Sequence, residues 1–147
     1  MIMKKIFYSF LLFSSVCIFG QKNPAVKFAV ANDIVGTIDM FKDKSDFIQS
    51  MHVYKTPATL PQNLKKFSNI AENGFAEFKL KKGYENLDRI TLSELNKQNN
   101  LPQDNPVIIE GYEFANTDTL VFGDILAKTE VKDYNGKKSL FISTTQK

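Results

Sequence analysis

The sequence predicts an α+β fold with an antiparallel or mixed sheet, one main amphipathic helix packed on a sheet face, and a second short helix. Three observations carry that expectation. Residues 47–82 read as strand, helix, strand: 48–54 and 75–80 alternate with the period of two that sends successive side chains to opposite faces, and 60–72 repeats its apolar residues at helical spacing. Thr91-Leu92-Ser93-Glu94 has the form of a capping box, in which the threonine hydroxyl and the glutamate carboxylate each satisfy a backbone donor at a helix start. Asn135-Gly136 stands before an extended stretch and is a strong signal for a two-residue hairpin.

Residues 1–20 are set apart from that domain. Lys4 and Lys5 precede a nearly unbroken apolar run over 6–19, and Gly20 closes it before the polar Gln21-Lys22-Asn23, the layout of a secretory signal peptide. A helix needs about 20 residues to cross the hydrocarbon layer, so the shorter run predicts cleavage after Gly20 rather than a retained span. Cys17 competes with that expectation, because a cysteine late in an apolar leader can carry the lipid of a bacterial lipoprotein; that processing prefers a smaller residue than Val16 before it. The expectation is export to the periplasm or beyond the cell, with 21–147 as a single exported α+β domain.

Without a cysteine after Cys17, that domain would be held by its core alone, which a chain of this length can build. The net charge of +3 falls to +1 when Lys4 and Lys5 leave with the leader, and Arg89 is the single arginine. Readers of polyanions use guanidinium forks on a basic face, so no nucleic-acid partner is expected. No transmembrane segment is expected after the leader.

In chain order, 25–31 alternates as a strand, and Asn32-Asp33 suits a turn because both side chains tolerate left-handed backbone. Residues 34–41 read as a second extended run, with Gly36 as a bulge or weak point. Strand 48–54 stops before Pro57 and Pro61, which cannot donate to a ladder. Pro61 suits the first turn of a helix running to about Asn73, with Leu64, Phe67, Ile70 and Ala71 on one face and Asn73-Gly74 ending it. In 75–81, Ala76, Phe78 and Leu80 form a buried side, opposite a wet side of Phe75, Glu77, Lys79 and Lys81. The capped helix runs to about Gln98, followed by a polar connector over 99–105. Residues 107–114 are the most strand-like run of the second half, with Gly111 in the middle; 120–122 and 125–131 are further extended pieces, and 140–144 is the return strand.

The halves 23–83 and 105–147 share an order of marks. Asn23-Pro24 and Asn105-Pro106 precede strands, an Asp opens each alternating strand over 46–55 and 124–132, and Asn73-Gly74 and Asn135-Gly136 precede the last strands. An internal duplication is therefore expected. With Pro106, Val107-Ile108-Ile109-Glu110-Gly111, Asp124-Ile125, Val131-Lys132 and Leu140-Phe141-Ile142-Ser143-Thr144-Thr145-Gln146-Lys147, and with 47–55 and Asn73-Gly74 in the first half, the chain resembles the plug domain of Bacteroidetes TonB-dependent outer-membrane receptors. The resemblance implies a small plug-like α+β module, exported without the barrel and without the energy-coupling box, with a partner among envelope or outer-membrane proteins. Fold similarity does not by itself carry function.

His52 is the single histidine and lies between Met51 and Val53 on the opposite strand face. It is a candidate general base or metal ligand, against the plainer reading of a partly exposed strand residue, since a catalytic imidazole needs an orienting partner. Glu110, flanked by Ile109 and Gly111-Tyr112, is a candidate acid of raised pKa, against the reading of a wet-face residue. Asp39, Asp43 and Asp46 read as a solvated loop whose spacing does not fit a calcium loop. Tyr54, Tyr84, Tyr112 and Tyr134, near strand ends, are candidates to line a glycan or peptide surface. No cofactor is expected. The leading expectation is an exported non-enzymatic binding or interaction module of the cell envelope that docks by strand addition. The alternatives are a small secreted hydrolase-like enzyme using an acidic residue or His52, and an inhibitor-type protein.

Overall fold

In the computed structural model, which describes residues 22–43, 45–84 and 87–144, the strands form two mixed sheets. The leader, with Cys17 and the cleavage point after Gly20, lies outside the described residues. β1 (Phe28–Ala31), β2 (Ile34–Thr37), β3 (Ile48–Tyr54), β4 (Phe75–Leu80), β5 (Arg89–Thr91) and β8 (Leu120–Phe122) make a six-stranded sheet in the order β3-β4-β1-β2-β8-β5. β6 (Val107–Ile109), β7 (Tyr112–Phe114), β9 (Lys128–Tyr134) and β10 (Lys137–Ser143) make a four-stranded sheet in the order β7-β6-β10-β9. With α1 (Ile38–Lys42), α2 (Leu92–Gln98) and a 3-10 segment, Gln62–Ile70, the architecture is the α+β fold expected.

The two sheets repeat one strand order. In each, a hairpin (β1–β2 or β6–β7) leads to a second antiparallel pair (β3–β4 or β9–β10), whose last strand lies parallel to the hairpin's first. Phe28 thus stands opposite Phe75, and Ile108 opposite Phe141. Both hairpins turn on two left-handed residues, Asn32-Asp33 (φ 50° and 63°) and Glu110-Gly111 (φ 52° and 84°), the backbone sense that matches strand twist. β8 departs from the repeat. It crosses into the first sheet, pairs with β2, and holds β5 on its other side.

Both sheets bury one face in a common core. Phe28, Val30 and Phe75 meet Ile109, Leu140 and Ile142, and the gap is closed by Leu64, Phe67 and Ile70 of the 3-10 segment and by Leu92 and Leu95 of α2. Phe28 lies edge-on to Tyr112 at 5.3 Å and to Phe114 at 5.6 Å, the geometry that aromatic quadrupoles favour. On the other face of the first sheet, Ala29, Ala31, Ala76, Phe78 and Leu80 gather with Phe41 of α1. The connector after α2 is pinned by Asn96, whose Nδ2 donates to the carbonyls of Gln103 (3.2 Å) and Asn105 (2.8 Å).

The structure departs from the sequence expectations at five places. The main helix over 61–73 is 3-10 rather than α: Leu64, Phe67 and Ile70 recur every three residues, which three residues per turn stacks in one buried row. The extended run over 34–41 stops at Thr37, whose hydroxyl accepts from the Met40 N–H (3.3 Å) and caps α1. Phe75 is fully buried rather than wet, because the 3-10 segment covers its side of the sheet and Phe67 stacks on it at 5.4 Å. The run over 107–114 is two strands about the Glu110-Gly111 turn, and 125–131 begins in a 3-10 turn, Gly123–Ile125, before β9 starts at Lys128. The capped helix and the Asn135-Gly136 hairpin stand where expected. Thr91 Oγ1 accepts from the Glu94 N–H at 3.1 Å, and Asn135 and Gly136 have φ of 51° and 82°.

Candidate functional site

Natural sheets protect their edges with short strands and charged side chains, and three of the four edge strands described here do so. β5 and β7 have three residues each and carry Arg89 and Glu113. β9 carries Lys128, Glu130, Lys132 and Asp133; the ammonium groups of Lys132 (2.8 Å) and Lys128 (3.3 Å) hold the Glu130 carboxyl below its ordinary pKa. β3 is different. Its seven residues, Ile-Gln-Ser-Met-His-Val-Tyr, include no acid, lysine or arginine, and it ends the six-stranded sheet.

The register with β4 decides what this edge presents. Met51 opposite Phe78 and Val53 opposite Ala76 lie on the face of the smaller cluster; His52 opposite Glu77 and Tyr54 opposite Phe75 lie on the face of the main core. α1 caps that smaller cluster with Phe41 but does not cover the margin, so Met51 is 44% exposed and Val53 49%. An open groove of about 1030 Å³ reaches from this margin to Asn23 and Thr144, lined by apolar Ile38, Met40, Met51 and Val53 and by charged Lys27, Asp39, Lys42, Asp43 and Lys55. A second groove of about 540 Å³ opens on the other face, where Ser50, His52, Asn63, Glu77 and Lys79 line it. Both faces of β3 are thus accessible along with its outer backbone.

Two of the four candidate tyrosines frame this edge. Tyr54 ends β3 with its ring 4.5 Å from that of His52, and burial, aided by the Glu77 carboxylate, pushes its hydroxyl pKa up. Tyr84 stacks at 4.7 Å on Phe47, just before the strand starts. Tyr134 belongs to β9 in the other sheet, edge-on to Phe141 at 5.9 Å. Tyr112 corrects the expectation of an exposed ring. It is 1% exposed, packs on Phe28, and its hydroxyl is held by Asn73 Nδ2; burial raises its pKa.

The two candidate catalytic residues do not come together. His52 is exposed on β3, and among the described residues no side chain hydrogen-bonds its imidazole to fix a tautomer. Glu110 sits in the left-handed turn of the β6–β7 hairpin. Its Oε1 accepts from the N–H (2.7 Å) and hydroxyl (2.9 Å) of Thr144, its Oε2 from Asn23 Nδ2 (3.2 Å), and its carbonyl from the Asn23 N–H (2.9 Å). This carboxylate clamps two distant segments to one turn. Among the described residues no group of three or more His, Cys, Asp and Glu is placed to hold a metal, and no helix is long and apolar enough to cross a membrane. Asp39 and Asp43 belong to α1 and its C-terminal cap, and Asp46 to a 3-10 turn, Ser45–Phe47, before β3.

Sequence reasoning did not single out Met51 and Val53. Alternation shows which residues share a face, whereas their exposure follows from β3 standing at the end of the strand order. No known protein family, curated protein or solved structure matches this chain.

Proposed function

We propose that this protein is an exported, non-enzymatic interaction module of the bacterial cell envelope that engages a polypeptide by strand addition at β3. One observation carries the reading: β3 is a seven-residue edge strand without acid, lysine or arginine, and its Met51 and Val53 are exposed. An incoming strand would satisfy the outward backbone donors and acceptors, which supplies affinity, while Met51 and Val53 on one face and His52 and Tyr54 on the other select its side chains. Export rests on the leader pattern over 1–20, and the envelope setting on the plug-like resemblance. Mass spectrometry of the envelope-isolated protein tests export directly, with a chain beginning at Gln21 as the expected result.

The docking test places a photoreactive amino acid at Met51 and, as a control, at Lys132 on β9, in cells that make the full chain. A crosslinked polypeptide from position 51, weak or absent from position 132 and lost with Val53→Lys, is expected. No product at position 51, or equal products at both edges, overturns the reading.

A further inference from the structure

We infer that the strand received at β3 is β3 of a second copy of this chain, paired antiparallel about a twofold axis through His52. The inference rests on the docking reading and names its occupant. A twofold axis perpendicular to a sheet keeps every side chain on its own face, so one residue sits on the axis and residues equally spaced from it stand opposite each other. With Met51 on the axis, Ser50 meets His52 and Val53 falls opposite the bulge at Gln49. With Val53 on the axis, Met51 meets Lys55. With His52 on the axis, each Met51 meets the second copy's Val53 and Ser50 meets Tyr54, all within the regular stretch of β3 that begins at Ser50, after the bulge between Ile48 and Ser50. Among these registers only the last pairs apolar with apolar on both sides of the axis and sets no charge against an apolar residue.

The register within the first sheet extends that match. On one face it forms the rows Phe78, Met51, Val53, Ala76 across the junction; on the other, Glu77, His52, His52, Glu77. Charge at the strand ends points the same way. Asp46 is exposed before β3, with Lys81 and Lys82 exposed beside it after β4, so charge at that end is mixed, and antiparallel pairing keeps the exposed Lys55 of one copy away from Lys55 of the other. Parallel pairing would set Lys55 beside Lys55. Self-pairing also covers the one edge strand described that carries no acid, lysine or arginine, its single irregularity being the bulge at its start.

One strand pair is a small interface, so the dimer is expected to be concentration-dependent. Sedimentation of the chain from residue 21, over roughly 1 µM to 1 mM, should show a reversible monomer–dimer equilibrium. His52→Glu and His52→Lys each place like charges on the axis and should weaken the dimer at least about tenfold. An equimolar mixture of the two variants should recover it as a heterodimer, with circular dichroism showing both variants folded. A wild-type chain that stays monomeric, or variants whose mixture gains nothing, overturns the second copy as occupant. A monomeric chain that still crosslinks another polypeptide through Met51 in the envelope sinks this inference alone; an unreactive position 51 sinks the docking reading with it.

Discussion

At Glu110, a side chain and its own backbone act on the same segments. Three donors from Thr144 and Asn23 converge on one carboxylate that is held in place by a left-handed turn. Glu110→Ala should therefore cost about 1–3 kcal/mol in urea unfolding, the range for hydrogen bonds to a charged acceptor. Adding Thr144→Ala to that variant should cost little more, because the two changes remove the same contacts. Tyr112 gives a second test, through pH. Burial raises its hydroxyl pKa above the ordinary 10.0, so the unfolded tyrosine ionises first. Its contribution is intact below pH 10 and is lost as pH rises through the folded value. Tyr112→Phe should lessen the alkaline loss of stability while costing about 1 kcal/mol at neutral pH for the lost Asn73 bond, both read from denaturation curves at stepped pH.

Elements were legible where their determinants are local. Thr91 and Glu94, three residues apart, mark the start of α2 within one turn, and Asn135-Gly136 marks its hairpin for the same reason. β3 was legible in extent because Pro57 follows it closely, but its place at the end of a sheet is a property of strand order. β5, with three residues, owes its existence to β8 and left no periodic signal. The 3-10 segment was mistaken for an α-helix because a spacing of three serves both until the fourth-residue companions are checked; Ser68, four after Leu64, is one that fails. Among the candidate sites, Tyr54 and Tyr84 came to one edge, whereas Tyr112 went inward because the turn at Gly111 redirected its strand. Close approach adds a prediction at this scale. A Cβ at Gly36 would lie 2.9 Å from the Phe41 ring, so Gly36→Val should displace that ring and cost about 1–3 kcal/mol, lowering the melting temperature. Val53→Lys, on the open edge, should stay within about 0.5 kcal/mol of wild type, which separates docking from folding.

For the whole molecule, the main core is shared by both sheets, so neither is expected to unfold alone. Leu140 lies in the same cluster as Phe28, and Leu140→Ala should cost about 2–5 kcal/mol. Native-state hydrogen exchange should then show protection falling in β1 as well as in β10; a loss confined to β10 would mean two independent units. The repeated marks in the sequence sit at matching points of the two sheets, with Asn73-Gly74 before β4 and Asn135-Gly136 before β10. The crossing of β8 into the other sheet left no such mark. That crossing also sets an order of events. Hairpin partners are neighbours in the chain, but β2 pairs with β8 by joining Ile34 to Leu120, and contacts so distant in sequence form slowly. β5 has no neighbour until β8 arrives. During refolding, pulse-labelled exchange should find the amides of Arg89–Thr91 and Leu120–Phe122 becoming protected together, after those of β9 and β10: two strands that come into being in one step.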